Sequence, residues 1–171
     1  MASHELALLD SATVAEGTMA FSFAKPSGFS FQPGQYVDMS LVDPRVSDPA
    51  GNLRSFSIAS APHDDELLFV TRMRASPFKR ELAALQPGDR VRADGPLGEL
   101  VLDDHAQPTV LVAGGIGITP FRSMLRDSAR RHREPNVPTS YGNRTPTPPA
   151  FPPQLHPPTL RLPGFRLPHS L

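Results

Sequence analysis

The sequence predicts a small six-stranded antiparallel β barrel with one short helix, followed by the incomplete opening of an α/β domain. Three observations predict it. Residues 5 to 103 hold a succession of short β-like runs parted by turns. After Gln107-Pro108 the pattern changes to one continuous apolar run, a glycine-rich turn and a helical stripe. The 21 prolines are also uneven, with ten of them between Pro138 and Pro168.

The barrel elements follow in order. Leu6 to Ser11, Met19 to Ala24 and Gln35 to Leu41 are β-like, with turns at Ser27-Gly28 and Gln32-Pro33-Gly34-Gln35. Arg54 to Ser60 follows a Gly51-Asn52 turn and reads as a short strand. Leu67 to Met73 is the most apolar strand. Pro77 to Leu85 suits a short helix, with proline in the first turn and Pro87-Gly88 as its stop. Val91 to Asp94 and Glu99 to Leu102 complete the set, with Asp94-Gly95-Pro96-Leu97-Gly98 read as the turn between them.

Within this barrel the stretch Arg54-Ser55-Phe56-Ser57 carries the chemistry. A sheet arginine is costly to bury unless an anion pairs with it, so Arg54 asks for a carboxylate or a phosphate. Phe56 shares its face of the strand. Ser57 points the other way but can reach the edge of a flat ring lying along the strand. A cation, an aromatic and small hydrogen-bonding residues fit a ligand with a phosphate and an extended ring.

Thr109 to Ala113 is a continuous apolar run, as expected of a parallel strand buried on both faces. Gly114-Gly115-Ile116-Gly117-Ile118-Thr119-Pro120 follows. A helix is then expected over Phe121 to His132, with Phe121, Met124, Leu125, Ser128 and His132 on one stripe. Thr119 suits an N-cap and Pro120 the first helical position. Strand, glycine turn and helix together read as a dinucleotide phosphate-binding turn, although Thr-Pro stands where the ordinary fingerprint has a last glycine. Beyond Glu134, Pro138 sits poorly in a central strand. Six prolines between Thr147 and Pro158, at ~3 kcal/mol each inside a helix, exclude a helix there. An extended, disordered remainder is the expectation.

Composition narrows the function. With 171 residues the chain holds one domain and part of a second. Zero net charge gives no reason to expect nucleic acid. The absence of cysteine excludes disulfides, thiolate metal sites and a cysteine-ligated iron–sulfur cluster within this polypeptide. The histidines, His4 and His63 included, show no metal-ligand spacing and read as surface residues; no metal site is expected. No apolar run approaches the ~20 residues of a membrane span, and the start has no basic signal region, so a cytoplasmic protein is expected.

The ordered set Pro33-Gly34-Gln35-Tyr36-Val37, Arg54-Ser55-Phe56-Ser57, Pro87-Gly88-Asp89-Arg90-Val91, Gly95-Pro96-Leu97-Gly98 and Gly114 to Pro120 resembles the ferredoxin-reductase-type flavoprotein family. Tyr141-Gly142-Asn143-Arg144 resembles the end of that family's second nucleotide-domain strand. The resemblance implies a Greek-key FAD-binding barrel over 1–105, the start of an NAD(P)-binding domain over 106–134, and a Pro-rich degenerate remainder over 135–171. It implies that Arg54 pairs with the flavin diphosphate, that Phe56 lies against the isoalloxazine, and that Ser57 sits near flavin N5 as the catalytic residue. Ser55 belongs to the same motif. Thr71, Arg72 and Met73 would pass the ribityl chain. Phe78, Lys79 and Arg80 would face the diphosphate at a helix N-terminus. Gly114, Gly115, Gly117, Ile118, Thr119 and Pro120 would hold the NAD(P)H diphosphate.

The activity so implied is electron transfer from NAD(P)H through FAD to an acceptor, whether a ferredoxin, another protein domain or a small molecule. A second reading is a non-catalytic flavin-binding remnant without a competent nicotinamide site, and a third is an interaction module with an empty barrel.

Overall fold

The computed structural model describes residues 2–46, 48–102, 110–131, 139–142 and 165–166, the last two groups by their backbone. The first part is a six-stranded sheet of β1 (Ser3–Ala15), β2 (Thr18–Ala24), β3 (Tyr36–Leu41), β4 (Arg54–Ser57), β5 (Glu66–Arg72) and β6 (Arg90–Leu97). The spatial order is β4-β3-β6-β1-β2-β5, and every neighbouring pair is antiparallel. The two edges meet: the Ala59 amide, just past β4, donates to the Leu68 carbonyl on β5 at 2.8 Å. That contact closes the sheet and removes its open edges.

β1 runs twice the predicted length because it serves two partners. Ser3 to Ala7 pair with β6, and Leu8 to Ala15 pair with β2. Its register shifts at Leu8/Asp10 and Thr13/Ala15 bend it from one partner to the other. The final strand was divided differently by the sequence. Asp94 to Leu97, expected as a turn, continue β6 and pair with β3, while Glu99 to Leu102 form no strand. β6 thus runs through Gly95-Pro96, a pair that punctuation rules assign to a turn.

Alternation fills the barrel. Phe21, Phe23, Phe69, Leu6, Leu8, Val37, Met39, Ile58, Leu67 and Val91 are all buried in one cluster. Each large apolar side chain taken from water there contributes ~1.5–3 kcal/mol. Helix α1 (Pro77–Ala84) caps the cluster with Phe78 and Leu82. Ser76 is its N-cap, accepting from the Lys79 amide at 3.2 Å, and Pro77 opens it as expected.

The second part begins with β7 (Leu111–Gly114), a 3-10 turn over Gly115–Ile118 and α2 (Thr119–Arg130). β8 (Thr139–Gly142) lies parallel to β7, and β9 (Phe165–Arg166) lies parallel to β8. β8 starts immediately after Pro138, so the proline that argued against a central strand falls outside it. Three expectations need correction. β7 is not buried on both faces: Leu111 and Ala113 are buried, but Val112 is 71% exposed. The apolar run reflects strand propensity, and among the described residues only one face is covered. Thr119 is not the N-cap. Ile118 holds that position without a side-chain cap, and the Thr119 hydroxyl donates back to the Ile116 carbonyl at 2.6 Å. His63 is not a plain surface residue, since it sits between Asp64 and Asp127 at 3.7 Å from each. The rest of the expected Pro-rich remainder, and His132 of the helix stripe, lie outside the described residues.

Candidate flavin and nucleotide site

Arg54 opens β4 opposite Met39, and its guanidinium turns toward the loop that precedes it. Nη2 meets Asp48 Oδ2 at 2.8 Å, and Nη1 donates to the carbonyls of Gly51 at 2.8 Å and Leu53 at 2.7 Å. The anion that the sequence demanded for this arginine is therefore present as a carboxylate. Asp48 is more than an ion-pair partner. Its Oδ1 accepts from the Ala50 amide at 2.9 Å, and its Oδ2 accepts from the Phe78 amide at 3.1 Å in the first turn of α1. The Ala50 and Phe78 amides hold its carboxyl below the usual carboxylate range; Arg54 and Arg80 add to this, and burial works against it.

Beside this anion lie two rings and a second cation. The Arg54 guanidinium sits 5.2 Å from the Phe78 ring centroid. Phe78 stacks on Phe56 at 6.1 Å with 28° between planes, and Lys79 Nζ lies 5.5 Å from the Phe56 centroid. The order is cation, ring, ring, cation. Lys79 Nζ also donates to the Thr71 hydroxyl and, at 2.8 Å, to the Arg72 carbonyl. Burial pushes the Lys79 pKa down, and the neighbouring Arg74 and Arg54 charges push it the same way. Phe56 is only 7% exposed, with Phe69 against it edge-on. A flat ligand reaches that ring only when Lys79 or Phe78 moves aside.

The remaining motif residues divide by face. Ser55 is exposed and hydrogen-bonds Asp38 Oδ1 across the β3–β4 ladder. Ser57 is half-buried opposite Tyr36. Thr71 is buried, Arg72 is exposed, and the Met73 amide donates to the Gly17 carbonyl at 2.7 Å.

The glycine turn meets the same strand from its far end. Ile116 and Ile118 pack against Ala59, Leu68 and Val70 of the barrel. Gly115 has a φ of 53°, and a Cβ on Gly114, Gly115 or Gly117 would touch nothing within 4 Å among the described residues. The turn therefore presents open backbone toward solvent, as a phosphate-binding turn must. Thr119 and Pro120 are buried at the start of α2. Behind them Arg122, only 5% exposed, donates to the Ala59 carbonyl at 2.6 Å. Burial, helped by Arg126, pushes Arg122 down to about 10, which leaves it charged at neutral pH. Arg126 reaches Asp64 Oδ1 at 2.9 Å. Gly34 completes the seam: at its φ of 103°, a Cβ would lie 1.9 Å from the Leu100 carbonyl oxygen and 2.3 Å from Met124 Cε.

Sequence reasoning did not single out Asp48, Asp64, Arg122 or Arg126. Asp48 left one signal, an Asp-Pro pair two residues before Ala50, which suits a side chain that accepts its own loop's amide. Asp64 left a similar one, since it accepts from the Ala61 amide of its own loop. Arg122 and Arg126 left none, because they pair across about sixty residues of chain.

No family model matches the chain. It is 39% identical over 116 residues to ferredoxin–NADP reductase B of Sorangium cellulosum, covering 66% of this chain and 46% of that protein. It is 32% identical over 120 residues to the reductase component 2 of terephthalate 1,2-dioxygenase of a Comamonas species, covering 68% and 34%. Among solved structures, the Amycolatopsis cytochrome P450 reductase GcoB aligns with a TM-score of 0.72 at 27% identity, over 96% of this chain and 51% of that one. A ferredoxin NADP+ reductase from Neisseria gonorrhoeae, solved with bound FAD and NADP, aligns with a TM-score of 0.71 at 23% identity, over 84% and 58%. The chain thus spans between a third and a half of the length of these two curated relatives.

Proposed function

We propose that this chain, which belongs to the ferredoxin-reductase-type flavoprotein family, binds FAD on its barrel and serves as the flavin part of an NAD(P)H-dependent reductase. On this reading residues 1–105 form the flavin part, and residues 106–134 begin the nucleotide part. The observation that carries it is the anion held between Arg54 and the α1 amide, next to the Phe56–Phe78 pair. The Asp48 carboxylate stands where a flavin phosphate would be recognised. The neighbouring aromatics stand where a ring system would lie, so the donor set fits the cofactor.

The relatives supply the cofactor's identity. The Neisseria structure holds FAD and NADP, and the Sorangium protein is a ferredoxin–NADP reductase. When bound, FAD would supply the chemistry of hydride acceptance from a reduced nicotinamide and of one- or two-electron release. This chain's own residues do the rest. Arg54 and the amides at the start of α1 hold the phosphate. Phe56 excludes water from the flavin face. Ser57, half-buried at the end of β4, would offer its hydroxyl to the flavin ring. Thr71, Arg72 and Met73 would line the ribityl side, and Lys79 with Arg80 would face the diphosphate. The open glycines of the 114–120 turn hold the nucleotide diphosphate, and Arg122 fixes that turn against β4. The acceptor is a ferredoxin, an attached protein domain or a small molecule. Among the described residues no helix is long and apolar enough to cross a membrane.

One observation favours the second reading, a flavin-binding part without efficient nicotinamide oxidation. Among the described residues nothing covers Val110 and Val112 on the outer face of β7, 61% and 71% exposed. A nucleotide domain buries that face under a helix, and a turn on a half-supported strand holds its ligand loosely. Small misplacement of the donor can cost ~100-fold in rate. Titration of the purified chain with FAD should show saturable quenching of flavin fluorescence. Anaerobic NADH should then bleach the bound flavin more slowly than dithionite does. A chain that retains no FAD through gel filtration would refute the proposal, and rapid saturable bleaching by NADH would remove the second reading.

A further inference from the structure

The two anion-recognising groups at the flavin end of the barrel are already engaged, and by the same carboxylate. Asp48 Oδ2 is 2.8 Å from Arg54 Nη2 and 3.1 Å from the Phe78 amide, and Oδ1 takes the Ala50 amide. The Asp48 side chain is only 6% exposed, so this is a desolvated contact rather than a loose surface pair. Charge and acceptor geometry match those of a phosphate oxygen pair. The loop that delivers it is weakly anchored by apolar burial: Val42, Val46 and Leu53 are 43%, 49% and 49% exposed. Lifting Asp48 away therefore sacrifices polar contacts and little buried surface.

We infer that Asp48 is a built-in competitor for the phosphate of the flavin. The inference rests on the flavin reading above. Binding exchanges one anion for another at Arg54 and α1, and the affinity for a phosphorylated flavin is the difference between the two. A flavin without phosphate has nothing to offer Arg54 and leaves Asp48 in place.

Asp48→Asn tests this, because the amide keeps one oxygen for the Ala50 N–H but drops both the charge and the second oxygen that compete for Arg54 and the Phe78 N–H. The parent and the variant are titrated with FAD and with riboflavin, followed by flavin fluorescence. FAD affinity should rise on the order of tenfold in the variant, as expected when one charge-assisted contact no longer has to be broken. Riboflavin affinity should stay within about twofold. If the parent binds FAD and Asp48→Asn binds it equally or more weakly, Asp48 is a brace of the site and the inference fails. If neither protein binds FAD, the flavin reading falls and takes the inference with it. A second measurement needs no variant. Hydrogen exchange at the Ala50 amide of the parent should accelerate when FAD is added, since its acceptor leaves. An Ala50 amide that is unchanged or better protected with FAD bound overturns the competitor.

Discussion

Two arginines meet the flavin-motif strand from its opposite ends, and they are held in different ways. Arg54 at the start of β4 pairs with a side-chain carboxylate on a loop, and its side chain keeps 23% of its exposure. Arg122 reaches the carbonyl of Ala59, just past the other end, and keeps 5%. A carboxylate on a loop can be exchanged for another anion. A backbone carbonyl that belongs to the barrel closure cannot, because the Ala59 amide is itself paired with Leu68. On the proposed reading the difference separates a recognition end, built to change partners, from a docking end, built to keep them. Both are cations near one strand, so residue type alone does not tell them apart.

The harshest way to break the docking end is through Gly34. A Cβ there collides with the Leu100 carbonyl and Met124, and the residue's φ of 103° adds backbone strain. Gly34→Ala should cost about 2–4 kcal/mol of stability. Thermal unfolding checks it, and an unchanged midpoint would mean that α2 is not seated against the barrel as described.

At the recognition end, Arg54→Ala should weaken FAD binding by ~1.5–3 kcal/mol, the worth of a charge-assisted contact. Gel filtration of the FAD-loaded variant gives the answer, and full retention of the flavin would remove Arg54 from the site. The matching change at the docking end, Arg122→Met, should leave FAD affinity within about twofold. It should lower stability by ~1–2 kcal/mol, the cost of leaving the Ala59 carbonyl without that donor. An FAD affinity that falls as far as in Arg54→Ala would erase the distinction between the ends.

The same contrast explains what the sequence disclosed. The barrel was legible because most of its strands alternate or are apolar over a few residues and its turns carry glycine or proline. Arg54 was legible as a residue needing an anion, since burial of a guanidinium has one cheap solution. Which anion satisfies it was not, because the sequence offers a ligand phosphate and Asp48 with equal plausibility. The division of β6 failed at Gly95-Pro96, where turn punctuation and extended backbone coincide. The exposed face of β7 failed because an apolar run records what a strand tolerates, not what covers it. The seam of Asp64, Arg122 and Arg126 was invisible, since pairing across sixty residues leaves no local spacing to read.

The smallest expected effect concerns acid. Asp64 ties the loop after β4 to α2 through Arg126 and accepts from the Ala61 amide at 2.8 Å. Burial acts to raise its pKa, but the Arg126 hydrogen bond, the Ala61 amide and the charges of Arg126 and His63 outweigh it, and the carboxyl titrates below its ordinary value. A carboxylate depressed by folding contributes stability that is fully present above its unfolded pKa, near ~3.9, and is lost as pH falls through the folded value. Asp48 follows the same sign at the other end of the strand. Thermal melts of the parent should therefore decline below about pH 4. Asp64→Asn removes one titrating group, so its melts should start lower at neutral pH and fall less steeply through the acid range. The two curves should converge at the acid end, because a protonated Asp64 and an asparagine are then alike in charge. Parallel curves with a constant offset would show that the Asp64–Arg126 pair does not couple the docking end to pH.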